Sequence, residues 1–166
     1  MRRKIGVIIF ITLLFCAVYS QAENMTPEGP ESLIFKLYNE HHPQNGNGIS
    51  FNDAKILNRY FTEDLSILFL RIKDYEKRTQ EIGLDFDPIY NAQDYEDNNS
   101  NLNLEVKKIS SSPKLRLQVT FTNLGRQTQI YEMKETKNGW RIDDIVYTST
   151  HSSLRQILQE ILSQSK

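Results

Sequence analysis

The stretch DFDPIYNAQDY, residues 85–95, divides this 166-residue chain into two unlike halves. Upstream of it, once the apolar N-terminus is set aside, apolar residues recur at helical spacing. Downstream they alternate as in strands, until a last helical pattern near the end. These eleven residues hold Asp85, Asp87 and Asp94, the aromatics Phe86, Tyr90 and Tyr95, then Pro88, Asn91 and Gln93. So dense a segment is expected to be the hinge between the two halves of one domain and to lie beside any site. Asp commonly caps turns and Pro fixes a bend, so Asp87, Asp94 and Pro88 read first as turn chemistry. A Ca²⁺ loop built from Asp85, Asp87, Asn91 and Asp94 does not fit, because Pro88, Ile89 and Tyr90 break the required alternation.

Upstream, Pro30 opens a helix expected over 31–42, with Leu33, Ile34, Leu37, Tyr38 and His41 on one face. The segment PQNGNG, residues 43–48, ends it. Ser50, with Asp53 three residues on, predicts a second helix striped by Ile56, Leu57, Tyr60 and Phe61. Thr62 reads as the cap of a third, reaching about residue 80 through Leu65, Leu68, Phe69, Ile72 and Tyr75.

Downstream, Leu102, Leu104 and Val106 alternate with polar residues, as do Leu115, Leu117, Val119 and Phe121. Further strands are expected over 128–134 and 140–148, joined through Asn138-Gly139, a strong hairpin signal. Short connections of this kind imply an antiparallel meander of about four strands. Ser152 or Ser153 caps a final helix carrying Leu154, Ile157, Leu158, Ile161 and Leu162. In the fourth strand Trp140 and Ile142 share one parity and Ile145 and Tyr147 the other. Two apolar sets out of phase predict a bulge at Asp143-Asp144, which would aim a carboxylate at an interior cavity.

Helices followed by a curved antiparallel sheet and a tail helix make an α+β fold with the helices on one face. GWRIDDI at the end of a hairpin resembles the closing strand of the nuclear-transport-factor-2-like, or cystatin-like, cone. DFDPIYNAQDY followed by GWRIDDIVY and SSLRQIL resembles the bacterial family called domain of unknown function 3828. The resemblance spans roughly residues 33–162. It implies a small exported protein, in many members a lipoprotein, and it transfers no established activity or catalytic residue.

Residues 1–22 read as a signal peptide. Met1-Arg2-Arg3-Lys4 is basic, residues 5–18 are apolar apart from Gly6 and Thr12, and Ser20 and Ala22 are small. An apolar run of about 14 residues falls short of the ~20 that span a bilayer. A lipid anchor through Cys16 is disfavoured, because Phe15 stands where a lipoprotein signal carries a small residue. The expected location is therefore the periplasm, with a flexible leader over 23–30 and a single domain over 31–166. Cleavage removes Cys16, the one cysteine, and with it any disulfide or cysteine ligand. The whole chain has 20 basic and 21 acidic residues; losing Arg2, Arg3 and Lys4 leaves 17 against 21, a net of −4. A mildly acidic chain argues against nucleic acid as a partner.

Three candidate sets follow. Asp143, Asp144 and Arg141 are the enzymatic candidates, since an Asp raised by burial beside a Tyr can act as a general acid or base. An ion pair or hydrogen bond tying the bulged strand to DFDPIYNAQDY uses the same residue types and is the favoured reading. Asp87, Tyr90, Asp94, Tyr95 and Trp140 are the candidates for binding a ligand or partner. His41, His42 and His151 do not form a zinc set: His41 and His42 are adjacent on one helix, and both read as polar helix-end groups. No metal or cofactor is implied. The favoured function is an exported, non-enzymatic binding or accessory protein of the envelope, in one version of immunity type, with an unknown protein or small ligand as partner. The alternative is a small-pocket enzyme, isomerase or hydrolase, using an Asp/Tyr pair in the cone.

Overall fold

The computed structural model describes residues 29–42, 48–93 and 102–164. Their elements run α1 (Pro30–His41), α2 (Ala54–Tyr60), α3 (Glu63–Thr79), β1 (Glu105–Ser110), β2 (Leu115–Thr122), β3 (Arg126–Thr136), β4 (Gly139–Tyr147) and α4 (Leu154–Ser163). The four strands form one antiparallel sheet in the order β1-β2-β3-β4. The expected α+β architecture is thus present: a meander that packs its apolar face against the helices.

The helices form where the spacing dictates. Leu33, Ile34, Leu37, Tyr38 and His41 are the buried face of α1. On α3 the buried face includes Leu65, Leu68, Phe69, Ile72 and Tyr75. Each large apolar side chain so removed from water contributes about 1.5–3 kcal/mol. The second helix starts later than its capping pattern suggests. Asp53, not Ser50, is the cap, its carboxylate accepting the Lys55 and Ile56 amides. A carboxylate at that position also meets the positive end of the helix, which a serine hydroxyl does less well. Thr62 stands at the N-terminus of α3, but its hydroxyl makes no capping bond and goes instead to Asp143.

The inner face of the sheet buries Leu117, Val119, Phe121, Tyr131, Ile142, Ile145 and Tyr147. β1 begins at Glu105 rather than at Leu102. Leu102 still extends the pairing, its carbonyl accepting the Thr122 amide at 2.7 Å.

The predicted bulge is present. Glu132 pairs with Asp144 and Met133 with Ile142, leaving Asp143 as the extra residue of β4. This one insertion lets Trp140/Ile142 and Ile145/Tyr147 both satisfy the core. It also sits on an edge strand that the rest of the chain covers. Phe61 makes a parallel bridge to Ile142 on one side of the bulge, and Ser153 bridges Val146 on the other. Both reduce the bare edge that an outer strand otherwise presents.

Candidate functional site

The site is the meeting of residues 85–93 with α1, β3 and β4. Asp87 organises it locally. Its Oδ1 accepts the Ile89 amide at 2.7 Å and the Tyr90 amide at 3.1 Å. Its own amide donates to the Ala92 carbonyl, closing the turn. Such side-chain-to-backbone bonds are what Asp does in tight turns. The other carboxylate oxygen lies 2.5 Å from His41 Nε2.

The His41 tautomer follows from its second contact. The Ile49 amide donates to Nδ1 at 3.0 Å, so Nδ1 is the lone-pair nitrogen and Nε2 carries the proton given to Asp87. Both ring nitrogens are therefore consumed within the protein, and the imidazole has no position left for a substrate proton. Gly48 makes this geometry accessible. Its φ is +71°, and a Cβ there would lie 3.1 Å from His41 Nδ1, so any side chain would be strained and crowded against the ring. His41 is thus not a solvated helix-end group. It is 5% exposed, because it lies on the same stripe as Leu33, Leu37 and Tyr38.

Three further side chains hold the loop by its carbonyls. Tyr38 Oη and Gln129 Nε2 both donate to the Ile89 carbonyl, each at 3.1 Å. Tyr147 Oη donates to the Pro88 carbonyl at 3.1 Å. Tyr38 and Tyr131 share a hydroxyl–hydroxyl bond of 3.1 Å. Burial pushes the phenols of Tyr38, Tyr131 and Tyr147 well above the usual tyrosine range, and neighbouring Tyr131 and Asp87 add to it for Tyr38 and Tyr147. Tyr90, a binding candidate, is 1% exposed. It stacks on His41 at 5.5 Å and meets Tyr38 and Phe121 edge-on at 5.7 Å each. Tyr90 is therefore core and is not presented to a partner, a correction that follows from its place two residues beyond Pro88, where the turn dives inward. Asp94 and Tyr95 lie outside the described residues.

The second half of the site is the bulge. Asp143 Oδ1 accepts from Thr62 Oγ1 and Arg155 Nη2, each at 3.2 Å, and Oδ2 lies 3.5 Å from Lys114 Nζ. Asp144 Oδ1 accepts the Ile145 and Arg155 amides, each at 2.9 Å. Arg155 stands in the first turn of α4, so Asp144 caps that helix from the neighbouring strand, while Ser153 Oγ accepts the Gln156 amide. Arg141 does not meet these aspartates. Its Nε donates to the Asn58 carbonyl at 2.8 Å, near the C-terminal end of α2, and its Nη1 to the Trp140 carbonyl at 2.6 Å. The expectation that the bulge aims a carboxylate into a closed cavity is corrected. The nearby cations of Arg155 and Lys114 draw Asp143 into an ion-pair seam, and the Ile145 and Arg155 amides take Asp144, so these bonds fasten the bulge to α3, β2 and α4 and not, as expected, to residues 85–93. Replacing Asp144 with alanine is expected to cost about 1–2 kcal/mol and to speed amide exchange over 154–158, read by hydrogen exchange with mass spectrometry.

Beside this seam Glu132 Oε1 accepts Arg116 Nη2 at 2.6 Å and Nε at 3.0 Å, and Oε2 accepts Lys114 at 2.6 Å. Burial pushes the Glu132 carboxyl up, and the Lys114 and Arg116 bonds more than offset it, holding it below the usual carboxylate range. Its folded value is thus lower than its unfolded one. The stability it contributes is present above the ordinary carboxylate range and is lost as pH falls through the folded value. Trp140 is half-buried and lines an open groove of about 440 Å³ at the hairpin end of the sheet, with Pro113, Leu115 and Met133.

His41 and Gln129 are the site residues that sequence reasoning missed. For His41 the helical stripe was the available signal. Among the described residues no cluster of three His, Cys, Asp or Glu side chains could hold a metal ion. No helix among them is long and apolar enough to cross a membrane.

No family model matches the chain, and no curated protein sequence does. A solved structure does share the fold. One chain of the crystal structure of the type VI native effector-immunity complex Tae3-Tai3 from Ralstonia pickettii superposes with a TM-score of 0.54 at 16% identity. The match covers 73% of this chain and 96% of that one. At this identity the likeness is one of fold.

Proposed function

We propose that this chain is an exported, non-catalytic protein that binds a protein partner in the cell envelope, in the manner of an immunity protein that neutralises an effector. The observation that carries this reading is the state of the candidate chemistry. Asp87, Asp143 and His41 spend acceptors and donors inside the fold, and Asp144 Oδ1 takes the Ile145 and Arg155 amides, which supports a fastening role over acid–base work. The fold likeness to a chain from an effector–immunity complex supports a protein as the partner. The reading of residues 1–22 as an export signal, of 23–30 as a leader and of 31–166 as the domain supports the periplasm. Kinship with domain of unknown function 3828 belongs to the same proposal and rests on the two sequence motifs.

The test is co-expression. Exported products of the adjoining genes are produced in the periplasm with and without this chain. The expected result is that one of them arrests growth, and that the full chain relieves the arrest while a version lacking residues 1–22 does not. No relief of any of them, together with a metabolite retained by the purified protein, would contradict the reading.

A further inference from the structure

A second feature lies on the far side of Asp87. Phe51, Phe69, Ile72, Leu84 and Phe86 wall a half-open cleft of about 280 Å³, with Lys73, Glu76 and Asp87 among its lining residues. Phe51 stacks on Phe69 at 5.1 Å and 24°, and Phe86 meets Tyr147 edge-on at 5.7 Å. The walls are therefore held by ring contacts rather than left to collapse. Gly83 seats the outer wall against α3. Its amide donates to Glu76 Oε1 at 3.1 Å, and a Cβ there would fall 2.6 Å from Ile72 Cγ2. Gly83→Ala is expected to cost about 1–3 kcal/mol through that clash, measured by urea denaturation. Next to Gly83, Ile82 is 78% exposed, the most exposed large apolar side chain among the described residues.

The charge around the cleft is acidic on balance. Glu76 and Asp87 line it with Lys73, whose Nζ lies 4.0 Å from Glu76, and exposed Glu81 and Asp85 stand on the flanking segment outside the lining. The volume sits at the lower edge of the roughly 300–1,000 Å³ of pockets that enclose a free small molecule. It suits a single large side chain delivered from outside. Apolar anchors seated in a ready-made pocket, with complementary charge at the rim, are how protein interfaces concentrate affinity.

We propose that this cleft is the docking site for the protein partner of the preceding section, and that it takes an aromatic or large aliphatic side chain presented on a cationic segment. The inference rests on the binding reading and specifies its surface and the chemistry of its partner. An acidic rim admits lysine- or arginine-flanked anchors and repels acidic ones, while the ring walls supply the apolar contact.

The probes are three pentapeptides, Lys-Lys-Phe-Lys-Lys, Lys-Lys-Ala-Lys-Lys and Glu-Glu-Phe-Glu-Glu, titrated into the ¹⁵N-labelled chain purified from the periplasm. The first is expected to shift the amides of Phe69, Ile72, Glu76, Leu84 and Phe86 and to bind about tenfold tighter than either other peptide. Asp85→Lys and Ile82→Ser, both at exposed positions, are each expected to weaken it by about three- to tenfold, with the Asp85 effect fading in salt. Equal binding of all three peptides, shifts centred on Trp140, or phenethylammonium binding as tightly as the phenylalanine peptide would each overturn the proposal. Relief of effector arrest without peptide selectivity sinks the cleft and leaves the binding reading standing. Selectivity without relief does the reverse.

Discussion

Replacing Asp87 with alanine is expected to lower the free energy of unfolding by about 3–5 kcal/mol. That is a large share of the roughly 5–15 kcal/mol available to a domain of this kind. The reason is the number of donors that converge on one side chain. The Ile89 and Tyr90 amides lose their acceptor, and His41 Nε2–H is left pointing at a void. His41 is 5% exposed and Tyr90 1%, so water entering from the cleft beside Asp87 replaces the carboxylate's three bonds only in part. His41 cannot escape by switching tautomer, because Nδ1 would then present a proton to the Ile49 amide. Asp87→Asn separates shape from chemistry. Its amide oxygen can still accept from Ile89 and Tyr90, but its NH₂ faces the donor nitrogen of His41. A loss of about 2–3 kcal/mol is expected, measured for both variants by urea denaturation followed by circular dichroism. If Asp87 instead served a substrate in an open pocket, both variants would keep nearly full stability.

The second large effect is alkaline. Tyr38, Tyr131 and Tyr147 hold their phenols well above the usual range, chiefly through burial. Their folded values exceed the unfolded value near 10. The stability they carry is therefore fully present below about pH 10 and is lost as pH rises toward the folded values. Between those limits each group contributes a slope of about 1.4 kcal/mol per pH unit, so three together give about 4 kcal/mol per unit. The fold is expected to fail cooperatively by about pH 12. Tyrosinate absorbance at 295 nm and the loss of far-ultraviolet circular dichroism should rise in one transition. Tyrosinate absorbance that reaches its full amplitude before the circular dichroism changes would mean that these hydroxyls titrate in the folded protein. Tyr38→Phe removes one of the three groups and should move the midpoint upward, even though the same change costs hydrogen bonds to Ile89 and Tyr131 at neutral pH.

Much of this is legible in the residues alone. Helical spacing in the first half, alternation in the second and short turns between strands define an α+β meander. The clash of parity between Trp140/Ile142 and Ile145/Tyr147 located the bulge, because only an inserted residue lets both sets face inward. What the sequence left open was long-range pairing of polar groups. Nothing local in HH at 41–42 says that His41 reaches 46 residues ahead to Asp87, although its place on the α1 stripe pointed inward. Gln129 shares the parity of Tyr131 and Met133, but nothing local says that it is 1% exposed and bonded to the Ile89 carbonyl. Asp143 and Asp144 look alike on paper, and the bulge alone sends one to Arg155 and Lys114 and the other to the Ile145 and Arg155 amides. The acidic cleft was invisible for the same reason. Phe51, Phe69 and Phe86 come from three separate segments, and each reads as ordinary core when taken alone.

The central claim is that residues 85–93 lock the helices to the sheet rather than form a mobile catalytic loop. Native-state hydrogen exchange at the Ile89, Tyr90 and Ile49 amides tests it most directly, since these are the donors to Asp87 and His41. Loops that open for function exchange at low free energy, whereas locked segments exchange only when the whole domain unfolds. All three amides are expected to show opening free energies within about 1 kcal/mol of global unfolding. Exchange of Ile89 and Tyr90 at free energies near zero, with the sheet still protected, would contradict the account.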